Sequence, residues 1–163
     1  MSKISPLAFI DPEAKIGENC EIGPFCFIDK NVEIGDNNVL MNSVSVLYGA
    51  RIGNGNVIFP GAVISAVPQD LKFQGEDTTA EVGDNNKIRE NVTINRGTAA
   101  KGKTCVGSGN LLMESVHVAH DAFVGNDCII GNGTKLAGEI IIDDHAIISA
   151  NVLMHQFCRV GGY

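Results

Sequence analysis

Every sixth residue from Ile4 to Val160 is aliphatic, with few exceptions. The register runs from Ile4 through Ile10, Ile16 and Ile22 to Ile64. It resumes at Val82, Ile88 and Ile94, and again from Val106 to Val160. Of its 27 positions, 24 carry Ile, Leu, Val or Met, so the three exceptions, Asp70, Glu76 and Ala100, mark where the pattern is interrupted. A period of six is neither the 3.6 of a helix nor the 2 of a strand, so it belongs to a repeat above the level of one element.

The register has an internal grammar. Two residues before the aliphatic position the side chain is small or medium, as at Ala8, Ala14, Cys20, Cys26, Val32, Val44, Ala62, Ala122, Cys128, Thr134, Ala146 and Cys158. Just after it comes glycine at 17, 23, 35, 53, 83, 107, 125, 131 and 161, and Asn and Gly crowd the places between. These residue types tolerate the left-handed backbone angles that tight corners need. Short strands joined by such corners, each sending one large and one small residue inward, make a triangular prism. Three hexads close one coil of 18 residues. The expectation is an all-β parallel β-helix forming one elongated domain over 1–163, with coils about 4.8 Å apart. No segment of the regular coils has helical periodicity, which excludes an α/β fold.

Composition bounds the function classes. A formal net charge of −7 argues against nucleic acid and against a general membrane-surface role. The N-terminal Met-Ser-Lys-Ile-Ser-Pro has no apolar run fit for a signal peptide, and no segment has the length and apolarity of a membrane span. Four of the five cysteines (Cys20, Cys26, Cys128, Cys158) fall in the small inward register and read as packing. Cys105 lies outside that register, and none has zinc-site spacing, so a cytoplasmic location is expected. The chain ends at Gly-Gly-Tyr163, directly after a register position and with no capping helix. Repeat proteins need capped ends, so this predicts a chain cut short.

Three features depart from plain repeat. Residues 65–81 form an excursion that carries Pro68, Gln69, Asp70, Lys72 and Phe73 outside the prism; long ordered loops on rigid scaffolds are disproportionately functional. Residues 96–104 hold Arg96, Lys101 and Lys103, a small basic patch that reads as a solvated turn. The third lies within unbroken repeat, from Leu111 through His117-Val-Ala-His120-Asp121. Counting 18 along the register puts His120, Gly138 and Gln156 in one column, with Asp121 and His155 in the columns on either side. An imidazole beside a carboxylate can act as a general base. A glycine one coil away leaves a backbone N–H open to an oxyanion. That pairing suits deprotonation of a hydroxyl and direct transfer of an acyl group onto it, because no serine or cysteine nucleophile stands beside His120.

Four stretches carry a resemblance to a known family: Gln69-Asp-Leu-Lys-Phe-Gln-Gly-Glu76, Ile88-Arg-Glu-Asn-Val-Thr-Ile-Asn-Arg-Gly-Thr98, Asn110-Leu-Leu-Met through His117-Val-Ala-His-Asp121, and His155-Gln-Phe-Cys158. Over its whole length the chain resembles the UDP-N-acetylglucosamine 3-O-acyltransferases, which carry out the first step of lipid A biosynthesis. The resemblance implies a left-handed coil and a homotrimer with active sites between neighbouring prisms. It also implies transfer of an R-3-hydroxyacyl group from acyl carrier protein to the glucosamine 3-hydroxyl, with no cofactor beyond the carrier thioester and no metal. On that pattern His120 is the general base, Asp121 orients it, and the Gly138 amide stabilises the oxyanion. Asp70 and Lys72 would hold the sugar nucleotide, with Gln69, His117, His155 and Gln156 also lining the site. Glu139 stands where the family commonly has histidine. The family continues into further coils and a C-terminal helical domain that help bind nucleotide and carrier protein.

Rival readings are a sibling hexapeptide acyltransferase, including an acetyl-CoA-dependent one, and an inert scaffold. A β-helical zinc carbonic anhydrase fits poorly, because His117 and His120 are three residues apart where that site needs a pair five apart. An ice-binding helix would display outward threonine arrays that this chain lacks.

Overall fold

The computed structural model describes residues 1–162; Tyr163, in the Gly-Gly-Tyr end noted above, lies outside them. The described residues wind as a left-handed parallel β-helix of 24 short strands in three sheets of eight. Sheet I begins at Lys3–Ile4, sheet II at Phe9–Ile10 and sheet III at Lys15–Ile16, and successive strands visit the three in turn. Most strands are two residues long. Strands this short accumulate little of the twist that makes parallel crossovers right-handed in longer sheets.

The hexad grammar maps directly onto this geometry. The aliphatic position points inward and is buried through the middle coils, as at Ile28, Leu40, Ile64, Leu112 and Ile142; Ile4, in the first coil, is exposed. Full burial of such a side chain stabilises by roughly 1.5–3 kcal/mol. The small inward positions Cys20, Cys26 and Cys128 are buried free thiols; Cys158, in the last coil, is exposed, so the packing role expected of it does not hold there. One inward column is polar. Asn56 donates through Nδ2 to Asn38 Oδ1, and Asn86 to Asn56 Oδ1, both at 3.0 Å. The Asn110 N–H then reaches Asn86 Oδ1 at 2.9 Å. Each buried amide has its partner, which is what makes a polar ladder tolerable in a core.

Corners repeat every six residues, and each has two positions. The first has no place in the strand ladder for its N–H, and Pro6, Pro12, Pro24 and Pro60 all sit there, where proline's missing donor costs nothing. The second has positive φ in the regular coils from Asn19 onward: Asn31 at 54°, Ser43 at 58°, Asp121 at 60°, Glu139 at 60°. Gly49, Gly61 and Gly133 take it elsewhere.

Both interruptions of the register leave the same corner, between sheets II and III, in successive coils. Ile64 pairs with Ile94, thirty residues on, and Ile94 with Val118, twenty-four on, where regular coils pair residues eighteen apart. The insertions are therefore two hexads and one hexad, which is why the count of six stays in phase across them. The excursion is shorter than read from sequence. Ser65 and Ala66 extend the strand Val63–Ala66, and Thr79–Val82 forms the next strand, so the loop proper is 67–78. Among the described residues no helix is long and apolar enough to cross a membrane.

Candidate active site

His120 and Asp121 occupy the two positions of the corner between sheets II and III, one coil beyond the second insertion. The left-handed angle at Asp121 turns its carboxylate back toward the imidazole, with Asp121 Oδ2 2.8 Å from His120 Nδ1. Both are buried, His120 at 7% exposure and Asp121 at 1%. The second insertion supplies the rest of the carboxylate's shell. The Thr98 hydroxyl donates to Oδ2 at 2.6 Å, and the Thr98 and Lys101 N–H groups donate to Oδ1 at 3.0 and 3.2 Å. The Asp121 N–H is itself held by Thr104 Oγ1 at 2.8 Å.

Burial alone would raise the Asp121 carboxyl, but the hydrogen bonds from Thr98 and His120 outweigh it and hold it below the ordinary 3.8. An ionised carboxylate is an acceptor only, so Nδ1 carries the imidazole proton and Nε2 is left as the basic nitrogen.

Gly138 lies one coil on, against the ring. A Cβ there would come within 2.6 Å of His120 Cε1 and 2.7 Å of Nε2, so no other residue leaves the imidazole in place. Among the described residues no acceptor takes the Gly138 N–H.

A cleft of about 590 Å³ opens at this corner. Gln69, His117, His120, Gly138, His155 and Gln156 line it, together with Lys135 and the apolar Leu136, Leu153 and Met154. Asp70 and Lys72 are not brought into it. Asp70 instead caps a turn of the excursion, accepting the Lys72 N–H on Oδ1 at 2.9 Å and the Phe73 N–H on its carbonyl at 3.0 Å. His117 has Nδ1 2.7 Å from the Thr93 hydroxyl. Burial, with smaller contributions from the Lys135 cation and His120, lowers its pKa below 6.5 and keeps it neutral.

The segment 96–104 is the expected solvated turn only over 99–103, which are exposed; Arg96, Gly97, Thr98 and Thr104 are buried. Arg96 is buried against Tyr48 and Phe73, Lys101 reaches the Asp121 carbonyl at 3.3 Å, and Lys103 pairs with Glu81 at 3.0 Å. Each cation is turned to a local partner, and the start of the segment is drawn in because Thr98 and the Lys101 N–H bind the buried carboxylate. Thr93, Thr98, Thr104 and Lys135 went unrecognised in the sequence. Thr93 and Thr98 lie in the stretch Ile88–Thr98, but nothing local signals the Thr98 bond to a residue 23 positions away. Among the described residues no group of three or more His, Cys, Asp and Glu side chains is placed to hold a metal ion.

No protein-family model matches the chain. It is 46% identical over 162 residues to an acyl-[acyl-carrier-protein]–UDP-N-acetylglucosamine O-acyltransferase of Aliarcobacter butzleri (strain RM4018), a match covering 99% of the chain and 62% of that protein. The crystal structure of a UDP-N-acetylglucosamine acyltransferase from Bacteroides fragilis 9343 superposes with a TM-score of 0.96 at 76% identity, over 98% of this chain and 63% of that one. That of a UDP-N-acetylglucosamine O-acyltransferase from Moraxella catarrhalis RH4 gives 0.79 at 34% identity, over 98% and 71%. The chain thus spans 62% of the length of the curated relative it matches.

Proposed function

The chain belongs to the UDP-N-acetylglucosamine acyltransferase family, and on that premise we propose that it moves an R-3-hydroxyacyl group from acyl carrier protein to the 3-hydroxyl of UDP-N-acetylglucosamine, opening lipid A biosynthesis. The observation that carries this is the buried His120–Asp121 pair beside an uncapped Gly138 N–H at an open cleft.

The residues divide the reaction as follows. His120 Nε2 takes the proton from the sugar hydroxyl as its oxygen attacks the thioester carbonyl. The carbonyl π pair moves onto oxygen, and the Gly138 N–H meets that oxyanion; one such donor is worth about 2.7–4 kcal/mol of transition-state stabilisation. When the intermediate collapses, the C–S bond breaks and the imidazolium returns its proton to the carrier's thiolate. Asp121, held ionised by Thr98, keeps His120 in the productive tautomer and stabilises the transient imidazolium. Neutral His117 and the amides of Gln69 and Gln156 offer polar contacts around the acceptor sugar without competing for its proton. The apolar Leu136, Leu153 and Met154 wall suits the acyl chain. The cleft is open on one side, and on this reading a neighbouring prism of a homotrimer closes it. The location is cytoplasmic, and the reaction needs no cofactor beyond the carrier thioester.

The test is acyl transfer by the chain with UDP-N-acetylglucosamine and 3-hydroxyacyl carrier protein, run beside acetyl-CoA as donor. The expected result is an O-acylated sugar nucleotide from the carrier thioester alone. Product only from acetyl-CoA would move the chain to a sibling acetyltransferase, and none from either donor would contradict the proposal.

A further inference from the structure

The two insertions at the corner between sheets II and III are fastened to each other, and the second holds the first at both ends. At the start of the excursion, the Arg96 N–H donates to Ala66 O at 2.9 Å and Asn95 Nδ2 to Val67 O at 3.3 Å. At its end, the Gly97 N–H donates to Thr79 O at 3.0 Å and the Thr78 hydroxyl to Gly97 O at 2.6 Å.

The middle is held differently. The Arg96 guanidinium carbon lies 5.2 Å from the Phe73 ring centroid and 5.4 Å from that of Tyr48. The Tyr48 hydroxyl donates to Asp77 Oδ1 at 3.1 Å, fixing that ring to the loop as well. Arg96 is only 9% exposed, yet among the described residues no carboxylate pairs with it, and its Nε has no acceptor. Burying a cation without a counter-ion is costly, and here two aromatic faces stand in for one. A purely structural role would be filled as well by an apolar side chain. What a guanidinium adds is a planar, directional grip on the one ring that the loop contributes.

We propose that Arg96 is a positioning residue. Its guanidinium ties Phe73 and Tyr48 together, so that the excursion is held at the cleft, with Gln69 in its lining, while Arg96 itself does not line the cleft. The same backbone segment runs on to Thr98 and Lys101, which hold Asp121. One short stretch therefore sets the substrate loop and the histidine–carboxylate pair in fixed relation. The identity of the ligand that the loop meets, a sugar nucleotide, rests on the function proposed above.

The test uses the whole chain and three variants, Arg96→Lys, Phe73→Leu and the double variant, with two readouts. In steady-state assays the KM for UDP-N-acetylglucosamine should rise about tenfold in each, with kcat and the KM for the acyl carrier thioester within about twofold. The double variant should be no worse than the single ones, because both remove the same contact. In hydrogen exchange, the amides of residues 69–74 should exchange faster in Arg96→Lys, while those of Leu112 and Leu136 stay unchanged. Unchanged exchange in the loop would overturn the proposal. So would kcat and both KM values worsening together while the core exchanges faster, the pattern of general destabilisation. If the wild-type chain does not turn over the sugar nucleotide at all, the functional reading fails, and the exchange measurement alone decides the clamp.

Discussion

Two corners of the same prism are built to opposite rules. Between sheets III and I, a side-chain oxygen from the next coil accepts the first-corner N–H of the coil before it. Asp36 takes that of Glu18 at 2.7 Å, Asn54 that of Asp36 at 2.8 Å, and Asp84 that of Asn54 at 2.6 Å. Ser108, Asn126 and Asp144 continue the column at 2.9, 2.8 and 2.7 Å. Between sheets II and III no such column exists among the described residues. Two coils leave the prism as loops, and the next three place His120, Gly138 and Gln156 where a capping Asp or Asn would stand. The capped corner uses its acceptors for stability. The uncapped one leaves a backbone donor open beside a buried histidine, and that difference separates scaffold from chemistry in a molecule of otherwise uniform repeat.

Changes at the uncapped corner should move turnover, with a stability cost where the Asp121 carboxylate loses a partner, and changes at the capped side or in the core should move stability alone. Asp121→Asn carries the largest expected effect, because it removes the charge that fixes the His120 tautomer. Turnover should fall roughly 10²–10⁴-fold. Its stability cost has a definite pH window. The Asp121 pKa is depressed in the fold, so its contribution is complete above the unfolded value near 3.8 and lost as pH falls through the folded value. The gap in Tm between wild type and Asp121→Asn should therefore hold from neutral pH down to about 4 and close only below it; a gap that closes between pH 7 and 5 would contradict the assignment. Gly138→Ala comes next. The methyl group meets the imidazole, and a displacement near 1 Å costs about 10²-fold in kcat. Thr98→Val deletes one hydroxyl from the ionised carboxylate and should lower kcat about tenfold, with a stability loss of about 1.5–3 kcal/mol. Asn56→Ala breaks the core ladder and leaves neighbouring amides unpaired, costing about 1–3 kcal/mol per orphaned group in a denaturant titration while kcat stays put.

Much of this contrast was legible from residue order alone, because a hexad ruler needs nothing but counting. It placed Gly138 over His120 and located both interruptions. It did not show that the interruptions share one corner, although Asp70, Glu76 and Ala100 fall at the inserted hexads. Insertions of whole hexads preserve phase and so conceal the change in coil length. The Asp121 shell was hidden for another reason: half of it is backbone N–H, which carries no residue label, contributed from 20 to 23 positions away. Arg96 was misread because a cation in a polar, glycine-containing segment looks solvated until Tyr48 and Phe73, each more than 20 residues distant, are folded over it. The turn in which the Asp70 carboxylate accepts the Lys72 N–H is likewise not signalled by the motif itself.

The central claim is that the corner between sheets II and III performs the chemistry while the corner between III and I only holds the coils. Turnover and Tm of His120→Ala and Asp84→Ala, measured side by side with UDP-N-acetylglucosamine and 3-hydroxyacyl carrier protein, test it most directly. The account predicts that His120→Ala loses roughly 10²–10⁴-fold in kcat when assayed well below its own Tm, where it remains folded. It predicts that Asp84→Ala keeps its kcat and loses Tm. Near wild-type turnover in His120→Ala, or a comparable loss of kcat in Asp84→Ala at a temperature where it remains folded, would contradict it.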